Sequence, residues 1–540
     1  MDLSIIDWKK WLFAMVITSY AIALPLGANF GVIDDHMLLD TLLSNQKLDF
    51  YVSPSTGRFI PLVAQELNVI AFVSQSPSAF YAYNMIQLVI VVFGLIKILE
   101  LCLDSRYSKY LGYGTVLLIV FSPGFVEAWF RLDLGERDAF VVFLLFLILY
   151  LFYQKEQKLS YLIGGLLAAN IALYQKEPGF IMLGAFGLFR LAFGWKALNV
   201  RQKIFDALLI GSAVIFIALY YFIVFLNRGA VLYGDTPYNK AIVFAKNVAG
   251  YFLSDPFLMV LLFGLLAYRL YEVVIKKNKL EPVYDAALLA GALYVLAFLK
   301  LNLGGYHSLL PAYVFATLGL VHFLMKAGYV NKPFFKTALG ISLVLYITSA
   351  LPAAIHLISH YKIVPNNYND TLSFLTNYIN REGRRVAIYL DGSNRGSGTE
   401  IYRSFELYLL HRGLNTRQFD LKSDRPSDNS LLFSKGDSTS PFTVYRDPVA
   451  TQIEAGDLLV ITPYTSKFVD QKYLNRLKEH YELLYHTESP WGVPNIGLRS
   501  LAKYCVMRLG DVLPSVGEVV HSNNFFVWPD FYVFQKREAT

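Results

Sequence analysis

Apolar residues dominate the chain as far as about residue 360, then give way to a mixed pattern. Eleven runs come close to the roughly 20 apolar residues that a helix needs to cross a bilayer: 11–30, 83–102, 111–126, 139–153, 160–175, 179–195, 204–226, 256–275, 284–301, 306–325 and 337–358. The third to sixth are the shortest. A long connection, 31–82, follows the first run. In it, Asp35–Gln46 has apolar residues at Met37, Leu38, Leu42 and Leu43, and Arg58–Val73 has an apolar face interrupted by Gln65, Glu66 and Asn68. The breaker-rich stretch Ser53-Pro-Ser-Thr-Gly57 separates the two. Neither piece can span, so both predict helices lying along the interface. Beyond Val364, strand-like runs at Arg385–Leu390 and Asp457–Thr462 alternate with helical stretches at 400–411 and 472–481. Phe525–Trp528 and Phe531–Phe534 read as edge or terminal strands. The expected architecture is a polytopic α-helical membrane domain, 1–360, of about 11 spans, followed by a C-terminal extracytoplasmic α/β domain, 361–540.

Charge fixes the expected orientation. With the N-terminus cytoplasmic, every second connection is basic: Lys9 and Lys10; Arg106 and Lys109; Lys155 and Lys158; Lys196, Arg201 and Lys203; Lys276, Lys277 and Lys279; Lys326, Lys332 and Lys336. An odd number of spans puts the C-terminal domain outside. The first run lacks a clear small-x-small cleavage site and reads as a retained signal anchor. The chain is 55% hydrophobic and 16% charged, against about a quarter charged in soluble proteins. A net charge of +7 without a basic tract interleaved with aromatics gives no footprint for nucleic acid. The two cysteines, Cys102 and Cys505, fall on opposite sides of this topology and predict no disulfide.

The outer connections mix acids with bases. They carry Asp34-Asp35-His36, the stretch Arg131-Leu-Asp133-Leu-Gly-Glu136-Arg137-Asp138, Lys176-Glu177, the loop Asn227–Asp255 and the loop Asn302–His307. Five ionisable groups within eight residues beside a short span exceed what solubility asks for, so these clusters predict a shared cavity at the outer surface. For Asp34 the competing reading is a cap on a helix beginning near Asp35. The segment Asp391-Gly-Ser-Asn-Arg-Gly-Ser-Gly398 lacks GxGxxG spacing and reads as a turn.

The layout resembles the GT-C superfamily of integral-membrane glycosyltransferases, which use a sugar carried on polyprenyl phosphate. Asp34-Asp35 matches the acidic pair of that family's first outer loop. Gly57-Arg58-Phe59 with Pro61-Leu62 is similar to the GR-aromatic element of bacterial O-antigen glucosyltransferase-like members, and Tyr306-His307 with Leu309-Leu-Pro311 to their aromatic-LLP segment. The resemblance implies a bacterial inner-membrane enzyme that moves a hexose or pentose to a hydroxyl of a glycan, lipid or protein acceptor, with inversion. It implies Asp34 or Asp35 as general base, its neighbour orienting the acceptor or holding a divalent cation. Arg58, Arg131, Arg137 and Lys176 are the cations for the donor phosphate, and His36, Glu136, Asp138, Tyr306 and His307 are substrate contacts. No cofactor is required if Arg and Lys supply the charge. Two rivals use the same lipid-linked sugars: a transporter or flippase, which would gather ionisable groups at mid-membrane, and an oligosaccharide ligase or polymerase, which would tolerate loss of the acidic pair.

Overall fold

The computed structural model describes residues 8–44, 46–103, 108–132, 134–228, 240–301, 305–325, 333–390, 398–422, 453–466, 471–489, 492–510 and 525–538. Among the described residues, five helices are long and apolar enough to cross a membrane: Pro77–Cys102, Val200–Asn227, Pro256–Ile275, Pro282–Lys300 and Gly340–Glu382. A sixth qualifies if the bent pair Gly112–Val120 and Pro123–Trp129 counts as one span. The run 111–126 is thus not straight. It breaks by 65° at Ser122-Pro123, where proline cannot donate to the helix and Ser122 caps the next one through the Phe125 amide. The apolar helices Leu159–Gln175, Gly179–Gly194 and Ala312–His322 are 17 residues or shorter. At about 1.5 Å per residue such helices cover at most about 26 Å, less than the hydrocarbon core.

At one end of the bundle the helices are clamped by buried polar pairs. Arg190 binds Asp206 and Gln154, while Tyr150 donates to Asp206 at 2.8 Å. Arg269 bridges Asp285 at 2.6 Å and Glu272 at 3.1 Å.

The long connection is more structured than two interfacial helices. A helix spans His36–Leu43; strands β1 (Tyr51–Ser53) and β2 (Arg58–Ile60) form an antiparallel hairpin; a second helix spans Gln65–Val73. Gly57, at φ 80°, supplies the left-handed turn residue that the Pro-containing hairpin needs. The breaker-rich segment is therefore the hairpin turn.

The C-terminal part contains β3 (Val386–Leu390), β4 (Phe419–Lys422), β5 (Leu458–Ile461), β6 (Tyr481–His486), β7 (Val493–Pro494), β8 (Phe526–Val527) and β9 (Tyr532–Lys536). One sheet runs β4-β3-β5-β9-β6, with β3 parallel to β4 and β5, and β9 antiparallel to β5 and β6. Strand alternation sorts β5 cleanly. Leu458 and Val460 face a core with Tyr368, Leu372 and Phe405, whereas Leu459 and Ile461 join Tyr389 and Phe534 on the other face. β9, the last strand of the chain, therefore lies inside the sheet and not at an edge, with Val533 and Phe534 buried on its two faces. The glycine-rich segment 391–397 lies outside the described residues.

The division near residue 360 falls inside one helix. Leu351–Glu382 continues from the last apolar run into the sheet domain, burying Val364, Tyr368, Leu372, Leu375 and Ile379 against it. Leu38, Leu39 and Leu42 of the first-loop helix enter this same core beside the helix Gly398–His411. Around that seam, Arg403 pairs with Asp40 at 3.2 Å and Tyr408 donates to the Gly31 carbonyl at 2.6 Å. Burial pushes the nearby Glu406 carboxyl up to about 7, with Arg403 opposing and Asp40 reinforcing. A carboxyl raised in the folded state takes up a proton on folding, so its stabilising contribution is full below about pH 4.5 and fades as pH rises towards 7. Glu406→Gln is expected to flatten this part of the stability profile, measured as thermal midpoint against pH in detergent; an unchanged slope would refute the assignment.

Candidate functional site

The site begins where the chain turns after the helix Trp8–Ala23. Asp34 takes a left-handed backbone, φ 72°, a conformation that Asp tolerates better than most residues. The turn separates the two carboxylates. Asp35 stands at the N-cap of His36–Leu43 without a side-chain cap bond, and its carboxylate instead accepts from the Gly31 amide at 2.6 Å. Asp34 forms an ion pair with Arg131. Neither acid does the work of a cap.

Arg131 opens a chain of contacts in which acids alternate with basic side chains. It lies 3.4 Å from Glu127; Glu127 lies 2.9 Å from His307 Nδ1 and accepts from the His307 amide at 3.0 Å; His307 Nε2 lies 3.8 Å from Glu136; and Glu136 pairs with Lys176 at 2.7 Å. Arg131 and Glu127 meet because they are four residues apart, one helical turn. His307 reaches Glu127 because of Gly124, one turn earlier, where a Cβ would lie only 2.6 Å from the Tyr306 carbonyl oxygen. Gly124→Ala must push that backbone away, at a cost of about 1–3 kcal/mol. The expected result is a lower thermal midpoint and a displaced His307; a crystal or cryo-EM structure of the variant with His307 unmoved would contradict it.

Gly135 is a second close approach, with Val63 and the Gln175 carbonyl 2.6 Å and 2.8 Å from its ideal Cβ position. It brings the start of helix Gly135–Glu156 against the hairpin and the end of helix Leu159–Gln175. Arg58, at the start of β2, pairs with Glu177 at 2.9 Å, and the Phe59 amide donates to the same oxygen at 3.1 Å.

These elements enclose a cavity of about 500 Å³. Asp34, Asp35, Arg58, Arg131, Glu136, Lys176 and His307 all line it, joined by apolar residues such as Leu38, Leu67 and Val63. Acids and cations from four separate parts of the sequence thus share one wall. Each cation is already matched to a carboxylate, so an anionic ligand enters by competing for Arg or Lys.

Four expected site residues lie elsewhere. Arg137 is fully buried; it reaches Glu66 at 3.4 Å, Asp138 at 3.6 Å and the Arg131 carbonyl at 2.9 Å. Successive helical residues point about 100° apart, so with Glu136 on the cavity wall, Arg137 faces into protein. It braces the Arg131 backbone and does not line the cavity. Asp138 accepts from Gln87 at 2.5 Å, and His36 is fully buried off the cavity wall. Tyr306 turns outward to Arg499 at 2.7 Å. Asp133, residues 229–239 of the loop 227–255 and residues 302–304 lie outside the described residues. Glu127 and Tyr361, whose hydroxyl lies 3.4 Å from Glu127, were not expected; the readable signal was one acid inside the apolar run Gly124-Phe-Val-Glu-Ala-Trp. Among the described residues, no three His, Cys, Asp or Glu side chains gather as metal ligands.

No protein-family model and no curated protein matches the chain. Among solved structures it is similar to the crystal structure of ArnT from Cupriavidus metallidurans bound to undecaprenyl phosphate, at 12% identity and a TM-score of 0.43, over 91% of this chain and 97% of that one.

Proposed function

We propose that the chain is a GT-C-type glycosyltransferase whose cavity takes a sugar on polyprenyl phosphate at the outer face of the membrane, with Asp34 as the base. The observation that carries this reading is the Asp34–Arg131 pair on the wall of a cavity that also holds Arg58 and Lys176. Asp34 is preferred over Asp35 because the Asp35 carboxylate already holds the Gly31 amide, and Asp35 is the more buried residue.

While Arg131 holds Asp34, the carboxylate is a poor base. A donor phosphodiester carries one negative charge and attracts the guanidinium, whose fork suits two phosphate oxygens. Drawing Arg131 onto phosphate releases Asp34. The acceptor hydroxyl then attacks the anomeric carbon opposite the phosphate; the C1–O bond to phosphate breaks as the new C1–O bond forms, and the proton passes to Asp34. Polyprenyl phosphate leaves onto Arg131 and Lys176, and the anomeric configuration inverts. Basic cytoplasmic connections support the orientation.

The test is incubation of the purified protein with a panel of polyprenyl-phosphate hexoses and pentoses, following release of polyprenyl phosphate. Release from one member supports the reading; release from none, with the lipid bound, overturns it. Charge from Arg and Lys suffices for a monoanionic donor, so EDTA is expected to leave the active member's turnover within about twofold. A loss restored by Mg²⁺ or Mn²⁺ would put a divalent cation on Asp34 and Asp35.

A further inference from the structure

Asp34, Asp35 and Arg131 line a second cavity as well. It is smaller, about 180 Å³, and opens between the acidic turn and the C-terminal part of the chain. Five rings line its wall, Tyr81, Phe130, His360, Tyr361 and Tyr464, together with aliphatic residues such as Val32 and Val364. Tyr464 sits in the short helix Pro463–Ser466 directly after β5, so the sheet domain contributes to the pocket. His360 and Tyr361 come from the helix that joins the apolar bundle to that domain. Among the described residues Arg131 is the only Lys or Arg on this wall, and it is shared with the larger cavity.

The two cavities call for different chemistry. The larger has three cations among four carboxylates, Asp34, Asp35, Asp49 and Glu136, and those cations suit a phosphate. The smaller has ring faces with two carboxylates at the shared end, and suits a group with apolar C–H faces and hydroxyl donors. A saccharide ring has both. An acyl chain gains nothing from the carboxylates, and a second phosphate would meet two acids and no cation of its own. The volume is below the roughly 300–1,000 Å³ of clefts that take drug-sized ligands, which leaves room for a single ring.

We infer that the smaller cavity is the acceptor subsite, that the acceptor's reacting unit is one saccharide ring, and that Tyr464 is a specificity-determining contact supplied by the C-terminal domain. The inference rests on the proposed transferase reading. It makes Asp34 the meeting point, with donor on one side and acceptor on the other.

The experiment is saturation-transfer NMR on the full-length protein in detergent, titrating the methyl glycosides of glucose, galactose, mannose, xylose and arabinose, with polyprenyl phosphate binding measured on the same samples. The expected result is saturation of at least one glycoside, weakened at least tenfold by Tyr464→Ala and less than threefold by Tyr464→Phe. Polyprenyl phosphate affinity should stay unchanged in both variants, which also reports that they fold. Absence of any glycoside signal, an unchanged signal in Tyr464→Ala, or a parallel loss of polyprenyl phosphate overturns the inference. Failure of the wild-type protein to bind polyprenyl phosphate overturns instead the donor reading beneath it.

Discussion

Asp34→Asn is expected to lower sugar transfer by about 10²–10⁴-fold, the usual worth of a positioned general base, while donor affinity rises because the carboxylate no longer competes with phosphate for Arg131. Asparagine keeps the size and can still accept a hydrogen bond from Arg131, so the turn should survive. Asp35→Asn is the informative partner. Its amide oxygen can still accept from the Gly31 amide, the bond that the native carboxylate makes, so the loss should stay within about tenfold. Single-turnover rates with donor prebound separate chemistry from binding. Normal turnover in both variants removes the base; a severe loss in Asp35→Asn alone moves the role to Asp35.

Arg131→Gln is expected to act on binding and stability together. The side chain holds Asp34 and Glu127, and its guanidinium lies 5.9 Å from the Tyr361 ring centroid. A hydrogen bond to a charged partner contributes about 1.5–3 kcal/mol, so each one lost to the donor phosphate should weaken affinity by about 10- to 150-fold. Removing the cation also deprives the Asp34 and Glu127 carboxylates of that partner, which lowers the thermal midpoint. Arg131→Lys should recover the stability better than the affinity, because an ammonium cannot present the planar fork. The double variant Asp34→Asn, Arg131→Gln should lose less than the sum of the single effects, since the two residues share one interaction. Equilibrium binding of radiolabelled donor measures all four proteins. Unchanged donor affinity in Arg131→Gln would remove Arg131 from the phosphate site.

The convergence at this cavity was legible in the order of charges along the chain. Asp34, Arg58, Arg131, Glu136, Lys176 and His307 all fall in connections of the same parity, and those six residues share the wall of one cavity. Parity, however, does not report helical phase. Arg137 sits one residue from Glu136 and faces the opposite environment, braced by Glu66 from the first loop. Glu127 was hidden because Pro123 starts a new helix within what reads as a continuous apolar run. Of the sheet strands, β3, β5 and β9 were visible as short β-branched and aromatic runs, whereas β4 and β6 were not expected. The neighbours of β9 were not visible, because pairing depends on contacts across the fold and Tyr532–Lys536 carries no local mark of an interior strand. The continuous helix through residue 360 escaped detection for a related reason: Pro365 and a run of polar residues suggest a boundary, yet one amphipathic face keeps the helix docked on the sheet.

The most direct measurement is a structure of the Asp34→Asn protein with its polyprenyl-phosphate sugar bound. The account predicts phosphate oxygens within hydrogen-bond distance of Arg131 and of Lys176 or Arg58, with the anomeric carbon facing residue 34. Phosphate bound at the far end of the helix bundle, or in the larger cavity with the sugar pointing away from residue 34, would contradict it.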